Sequence, residues 1–373
     1  MPSTASYLAI GGLAAVVTFA LTPLVGWFAR RVGWVVEPDD RRVHKVTTPD
    51  VGGIALFAGF SVAFVAARLV GSFAPLFAAN SEPYGVLLGA TVMFAIGLFD
   101  DIVEISAPAK VAGTVLVAVI LVYFGVTMFY LRVPFATFLL SDDWVPLVTV
   151  LWLLVMTSAI NLIDGLDGLA AGIVAISSAS FFVYSHKLDQ LGYLTPPNLG
   201  PLMSILTLGV CIGFLPHNFN PARIFMGDSG ALLLGFLMAT STSVVGGRAD
   251  PATRSLPGQS FFFYAPLLVP ILILGVPIFD VLFSVVRRAR NRQGWATADK
   301  GHLHHRLMEM GHGQRRSVLI LWLWTALLSA VVLYPVLTES DVSYIPLGAA
   351  AVALGLYTVL HPEIRRRRSS NGT

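Results

Sequence analysis

Two carboxylates and an amide, Asn161, Asp164 and Asp167, stand between two apolar runs, Trp152 to Ile160 and Leu169 to Phe182. A carboxylate near the middle of a bilayer costs roughly 2.5–3.5 kcal/mol even on the mildest insertion scale. These residues therefore need a polar cavity, a cation or both. Asp164 and Asp167 are spaced i, i+3 and share a face if the segment is helical. Asp100 and Asp101 follow the apolar run from Gly85 to Phe99, and Asp228 opens another. Five carboxylates at one membrane level repel one another in a partly desolvated site. A hard divalent ion, Mg2+ before others, relieves that repulsion, because oxygen ligands suit it and it bridges to substrate phosphates.

Other candidates surround this set. Asn218, Phe225 and Asp228 lie in the stretch His217 to Gly230, where Asp228 or Ser229 can cap a helix and Phe225 can pack internally or stack on a base. The segment Gly301-His302-Leu303-His304-His305-Arg306 occupies a long basic loop. His302 and His305 have the spacing of a zinc pair, yet no cysteine and no clear third ligand accompany them. The segment also reads as a solvated loop, or as imidazoles and a guanidinium that contact a sugar phosphate. Arg41-Arg42-Val43-His44-Lys45 leads to Pro49 and Gly52-Gly53, either as a cluster for lipid headgroups or with Lys45 on a pyrophosphate. Asp280 is a sixth acid, for the site or for a structural hydrogen bond.

The elements that must position these residues are membrane helices. Only 12% of the 373 residues are charged and 55% are hydrophobic, against roughly 25% charged in soluble domains. Mean hydropathy is +0.76. Polar interruptions cut the chain into about eleven runs, 6–28, 52–71, 83–99, 110–129, 145–161, 168–186, 200–216, 229–247, 260–282, 317–337 and 343–361, near the length of about 20 residues that a span requires. The first run lacks a basic leader and reads as a retained helix. A single transmembrane domain over 1–373 is expected, with a long loop at 283–316 and a basic tail at 362–373. The ninth run holds Pro266, Pro270 and Pro277 and is expected to break or kink.

Alternate sides of these runs receive 19 and five of the 24 Lys and Arg residues. By the positive-inside rule the richer side is cytoplasmic, with the N-terminus outside and the tail inside. Every polar motif above falls on that side. Helices leaving it point free N–H groups at the site, with Gly52-Gly53, Gly168 and Gly227 at three of the starts, which favours phosphate. The net charge of +3 sits beside apolar runs, so nucleic acid is excluded as a partner. The one cysteine, Cys211, lies in an apolar run and offers neither disulfide nor thiol metal site.

Taken together, His44 with Pro49 and Gly52-Gly53, Asp100-Asp101, Asn161 to Gly168, Asn218 through Asp228, and His302 to Arg306 resemble the polyprenyl-phosphate N-acetylhexosamine-1-phosphate transferase family. The matches run in order from residue 44 to 306. The resemblance implies an all-α polytopic enzyme of the cytoplasmic membrane that begins cell-wall or surface-glycan synthesis. It implies a UDP-N-acetylhexosamine donor, a polyprenyl phosphate acceptor, release of UMP, and Mg2+, for which Mn2+ is expected to substitute. Membrane lipid surrounds such an enzyme, and a homodimer is expected. Asp228 with Asn161 would bind metal, and Asp100 with Asp101 would be catalytic. Asp164, Asp167, Asn218 and Phe225 would hold the nucleotide; His44, Lys45, His302, His304, His305 and Arg306 would meet sugar and phosphates.

Leu303 interrupts the three consecutive histidines typical of the relative that transfers phospho-N-acetylmuramoyl-pentapeptide, and this favours an N-acetylglucosamine donor over UDP-MurNAc-pentapeptide or UDP-GalNAc. Glu104 stands where that relative has a lysine, so no basic contact is expected there. The competing classes are a transporter of lipid-linked sugars or nucleotide-sugars and an inactive scaffold. A carrier would place its acids at the bilayer midplane, whereas these lie at the ends of their runs.

Overall fold

The computed structural model describes residues 2–37, 47–128, 130–133, 136–194, 196–246, 275, 278, 307–308, 312–338 and 344–360. His44, Lys45, the ninth run apart from residues 275 and 278, Asp280, His302, His304, His305, Arg306 and the basic tail lie outside the described residues. Ten of the eleven runs correspond to helices. They are α1 (Thr4–Val32), α2 (Gly53–Leu69), α4 (Glu82–Val103), α5 (Ala107–Tyr123), α6 (Trp144–Ile163), α7 (Leu169–Gln190), α8 (Gly200–Asn218), α9 (Gly227–Gly246), α10 (Gln314–Leu337) and α11 (Ile345–Leu360). Seven of them are long and apolar enough to cross a membrane, and α2 makes an eighth as half of a bent pair; α5 and α11 are shorter apolar helices. The chain is a multi-pass membrane protein.

Three features depart from the hydropathy pattern. After α2 the backbone turns by 88° through a short 3-10 turn into α3 (Ala74–Ala78), between the second and third apolar runs; Pro75, in its first turn, suits a helix start. Two antiparallel ribbons interrupt the all-α plan, β1 (Val35–Val36) with β2 (Thr48–Pro49), and β3 (Tyr130–Val133) with β4 (Ala136–Leu139). The third is the length of α4. Helical geometry continues past Phe99 and carries Asp100 and Asp101 inside its last turn, ending where Glu104 takes φ 52°.

α9 is the hub of the bundle. Its most apolar window is 94% buried, against 28% for α1, which faces lipid. Helices α2, α4, α6, α7 and α8 pack on α9, α1 packs on α8, and α10 packs on α7. Where apolar burial distinguishes poorly between protein and lipid, close packing and interhelical hydrogen bonds decide association. A Cβ on Gly213 would lie 2.2 Å from the Ala15 carbonyl oxygen, so α1 and α8 meet backbone to backbone. Ser204 and Ser241 hydroxyls bond at 2.6 Å, and Trp152 Nε1 donates to Thr242 Oγ1 at 2.9 Å. This rigid hub presents its N-terminus to the acidic motifs.

Candidate active site

The start of α9 is built by contacts from four other segments. Gly52 N and Gly53 N each donate at 2.9 Å, to the carbonyls of Phe225 and Met226, while Phe225 N donates to Pro49 O at 2.8 Å. Phe225 itself is half-buried. Gly227 then reverses the chain with φ +68°, a conformation that favours glycine. A Cβ on Gly97 would lie 2.4 Å from Ser229 Cα, and one on Gly53 would lie 2.3 Å from Ser229 Oγ. Helices α2 and α4 therefore touch the first turn of α9 through bare backbone. Asp101, from α4, caps that turn. Its Oδ1 accepts from Asp228 N at 2.6 Å and its Oδ2 from Ser229 N at 3.1 Å. A carboxylate suits this place because N–H groups there lack helical partners.

Asp100 faces a different partner. The ammonium of Lys110, on α5, lies 2.5 Å from Asp100 Oδ2 and also binds Asp228 Oδ2. Asn161 Nδ2 donates to the same Asp228 oxygen at 3.4 Å. The other oxygen of Asp100 accepts from Ile105 N at 2.8 Å, closing the turn that Glu104 opens. Asp100 and the head of α9 thus meet at one ammonium, and α6 joins them through the Asp228 carboxylate. Sequence reading counted Lys110 only among the basic residues of its side. The available signal was a cation in the first turns of an apolar helix, where the helix dipole disfavours it and a carboxylate partner is needed.

The turn between α6 and α7 supplies Asp164 and Asp167. Asp164 is half-buried, and its carboxyl is pushed well above the usual carboxylate range, first by desolvation and then by Asp50, Asp228, Asp101 and Asp167. No hydrogen bond or ion pair reaches it from the described residues. Asp50, just before Gly52, is a further acid that the sequence reading passed over. Asp167 Oδ2 accepts from Asn220 Nδ2 at 2.8 Å and from Ala222 N at 3.0 Å. Asn218 is 2% exposed; its Oδ1 accepts from Gly168 N at 3.1 Å and its Nδ2 donates to Ile224 O at 3.0 Å. Both ends of the Asn218 amide thus hold backbone, joining the turn to the loop before α9.

The structure brings Asp100, Asp101, Asn161, Asp164, Asp167, Asn218, Phe225 and Asp228 to one end of the bundle. Among the described residues no three acidic, thiol or imidazole groups form a ready metal cage. Mg2+ does not require one, since it is held through one or two carboxylates, with water and substrate phosphates completing its shell. Asp228, Asp100 and Asn161 offer hard oxygen donors, and the cluster already draws a positive charge between Asp100 and Asp228. The residues fit the ion.

Fold and site define a class, a multi-pass membrane protein whose helix ends gather carboxylates, an amide and an ammonium. The model of glycosyl transferase family 4 matches residues 83–246. The chain is 35% identical, over 96% of its length and 91% of the relative's, to a decaprenyl-phosphate N-acetylglucosaminephosphotransferase of Mycobacterium leprae. It is 36% identical, over 81% of its length and 77% of the relative's, to a probable undecaprenyl-phosphate N-acetylglucosaminyl 1-phosphate transferase of Bacillus subtilis. A phospho-N-acetylmuramoyl-pentapeptide-transferase of Staphylococcus epidermidis is 31% identical over 61% of this chain and 73% of its own. The chain belongs to glycosyl transferase family 4.

Proposed function

We propose that this protein transfers N-acetylglucosamine 1-phosphate from UDP-N-acetylglucosamine to a polyprenyl phosphate, releasing UMP, at the cytoplasmic face of the cell membrane. The observation that carries the reading is the convergence of Asp100 and Asp228, from separate helices, on the Lys110 ammonium at the head of α9. Two relatives that match most of the chain carry names for this transfer.

The acceptor phosphate, with a second pKa near roughly 6, is mostly dianionic at neutral pH and is itself the nucleophile. Its oxygen attacks the sugar-bearing phosphorus; a new P–O bond forms there while the bond to the bridging oxygen breaks, and that oxygen leaves on UMP. Lys110 orients phosphate oxygens as a point charge, and Asp100 fixes Lys110. Asp228 with Asn161 would hold Mg2+, which would supply neutralisation of the pyrophosphate charge. Asp101 positions Asp228 by capping its helix. A covalent aspartyl intermediate is not required, and the oxygens of Asp100 and Asp101 are already engaged. A single in-line displacement inverts configuration at phosphorus, so net retention from a chiral-phosphate donor would show two displacements instead.

The test of the activity is purified protein with polyprenyl phosphate, Mg2+ and a panel of UDP-sugars. Equal amounts of UMP and lipid-linked sugar from UDP-N-acetylglucosamine are expected. Neither product from that donor would refute the assignment.

A further inference from the structure

Three segments remote in sequence meet at one amide. Asn220, in the loop between α8 and α9, donates from Nδ2 to Asp167 Oδ2 at 2.8 Å and to Gln314 Oε1 at 2.7 Å. Its Oδ1 and its main-chain oxygen accept from Arg315 Nε at 3.2 and 3.0 Å. Both amide hydrogens and the amide oxygen are thus engaged. Gln314 and Arg315 open α10, eight residues after Arg306 of the histidine segment. Asp167 uses Oδ2 for these contacts, leaving Oδ1 without a partner among the described residues.

We infer that Asn220 is a positioning residue for donor binding, joining Asp167 and the first turn of α10 into one unit. The inference rests on the transferase reading for its activity assay. An amide is the side chain the place requires. It must donate twice, to a carboxylate and to a glutamine oxygen, while accepting from a guanidinium. A carboxylate at 220 could accept from Arg315 but would face Asp167 as a like charge. An alanine would leave Asp167 held only by Ala222 N, free to rotate about its side-chain bonds. Because these contacts hold the binding surface and do not touch the reacting atoms, their loss weakens donor binding before it slows the chemical step.

The experiment uses the full chain in detergent. Asn220→Asp and Gln314→Ala are expected to raise KM for UDP-N-acetylglucosamine about tenfold with kcat within about twofold, the pattern of lost uniform binding. Gln314→Glu keeps an acceptor for Asn220 and is expected to recover most of the KM. A fall in kcat at unchanged KM, or no effect of either variant, would overturn the inference. A second measurement needs no activity. Asn220→Asp is expected to lower the melting temperature, and adding Asp167→Asn is expected to restore it, because the new amide then donates to the new carboxylate. If the wild type fails to transfer from UDP-N-acetylglucosamine, the proposed function falls while this melting cycle still decides the junction. Additive losses in the cycle would refute it.

Discussion

Asp100 and Asp101 are adjacent in the chain, yet the structure gives them different work, and Asp101→Ala separates the two. Asp101 satisfies two backbone N–H groups at the head of α9, at 2.6 and 3.1 Å. Ser229 is fully buried. A buried donor left unsatisfied costs about 1–3 kcal/mol, and loss of a helix cap about 0.5–2 kcal/mol. Water can reach the Asp228 end, so the expected total is about 2–4 kcal/mol. Asp101→Asn keeps an acceptor oxygen and loses the charge, for about half of that. Asp100→Asn keeps an acceptor for Ile105 N–H and is expected to change melting far less while abolishing most turnover. The assay is thermal unfolding in detergent, monitored by loss of the monodisperse species, alongside turnover for each variant. A melting temperature for Asp101→Ala equal to wild type, together with near-normal turnover, would refute the capping role.

Lys110→Ala leaves Asp100 and Asp228 without their shared cation. Removing one partner of a buried pair costs about 3–5 kcal/mol, and solvent access brings this toward about 2–3 kcal/mol. Stability and turnover should both fall, whereas Lys110→Arg should keep the fold; unchanged melting of the alanine variant would contradict the pairing. Gly97→Ala places a Cβ 2.4 Å from Ser229 Cα, while Gly12→Ala meets nothing within 4 Å. Only the first should lower the melting temperature and activity. For Asp164 the folded-state pKa is raised, so its burden is absent below the unfolded-state carboxylate pKa, grows as pH rises from there, and levels off above the folded-state pKa. In chelator, wild type should therefore melt lower at neutral than at mildly acidic pH, Asp164→Asn should flatten that dependence, and Mg2+ should raise the wild-type melting temperature. An equal pH dependence in both proteins would remove Asp164 as its source.

Much of the fold was legible because lipid-embedded chain tolerates so little charge. Among the described residues the polar interruptions lay at helix ends, and Asp100, Asp164, Asp167 and Asp228 stood out against an apolar background. The 88° turn after α2 was not legible, since hydropathy carries no direction. Long-range partners were equally hidden. Nothing local tells that Lys110 meets an acid 118 residues away, or that Asp101 caps a helix 127 residues further on. Asn218 was expected on the nucleotide, and its amide also joins two backbone groups. A buried amide and a ligand-binding amide look alike until their neighbours are known. Asn220, Gln314 and Arg315 escaped notice because each is an ordinary polar residue at a helix boundary.

Transfer of a sugar phosphate, as opposed to a sugar alone, is decided by the fate of the donor's β phosphorus. UDP-N-acetylglucosamine labelled with radiophosphorus at that position, incubated with polyprenyl phosphate and Mg2+, should yield labelled lipid and unlabelled UMP with the wild-type chain, and no labelled lipid with Asp228→Ala. Label retained in UDP, or labelled lipid formed equally well by Asp228→Ala, would contradict phosphosugar transfer at this site.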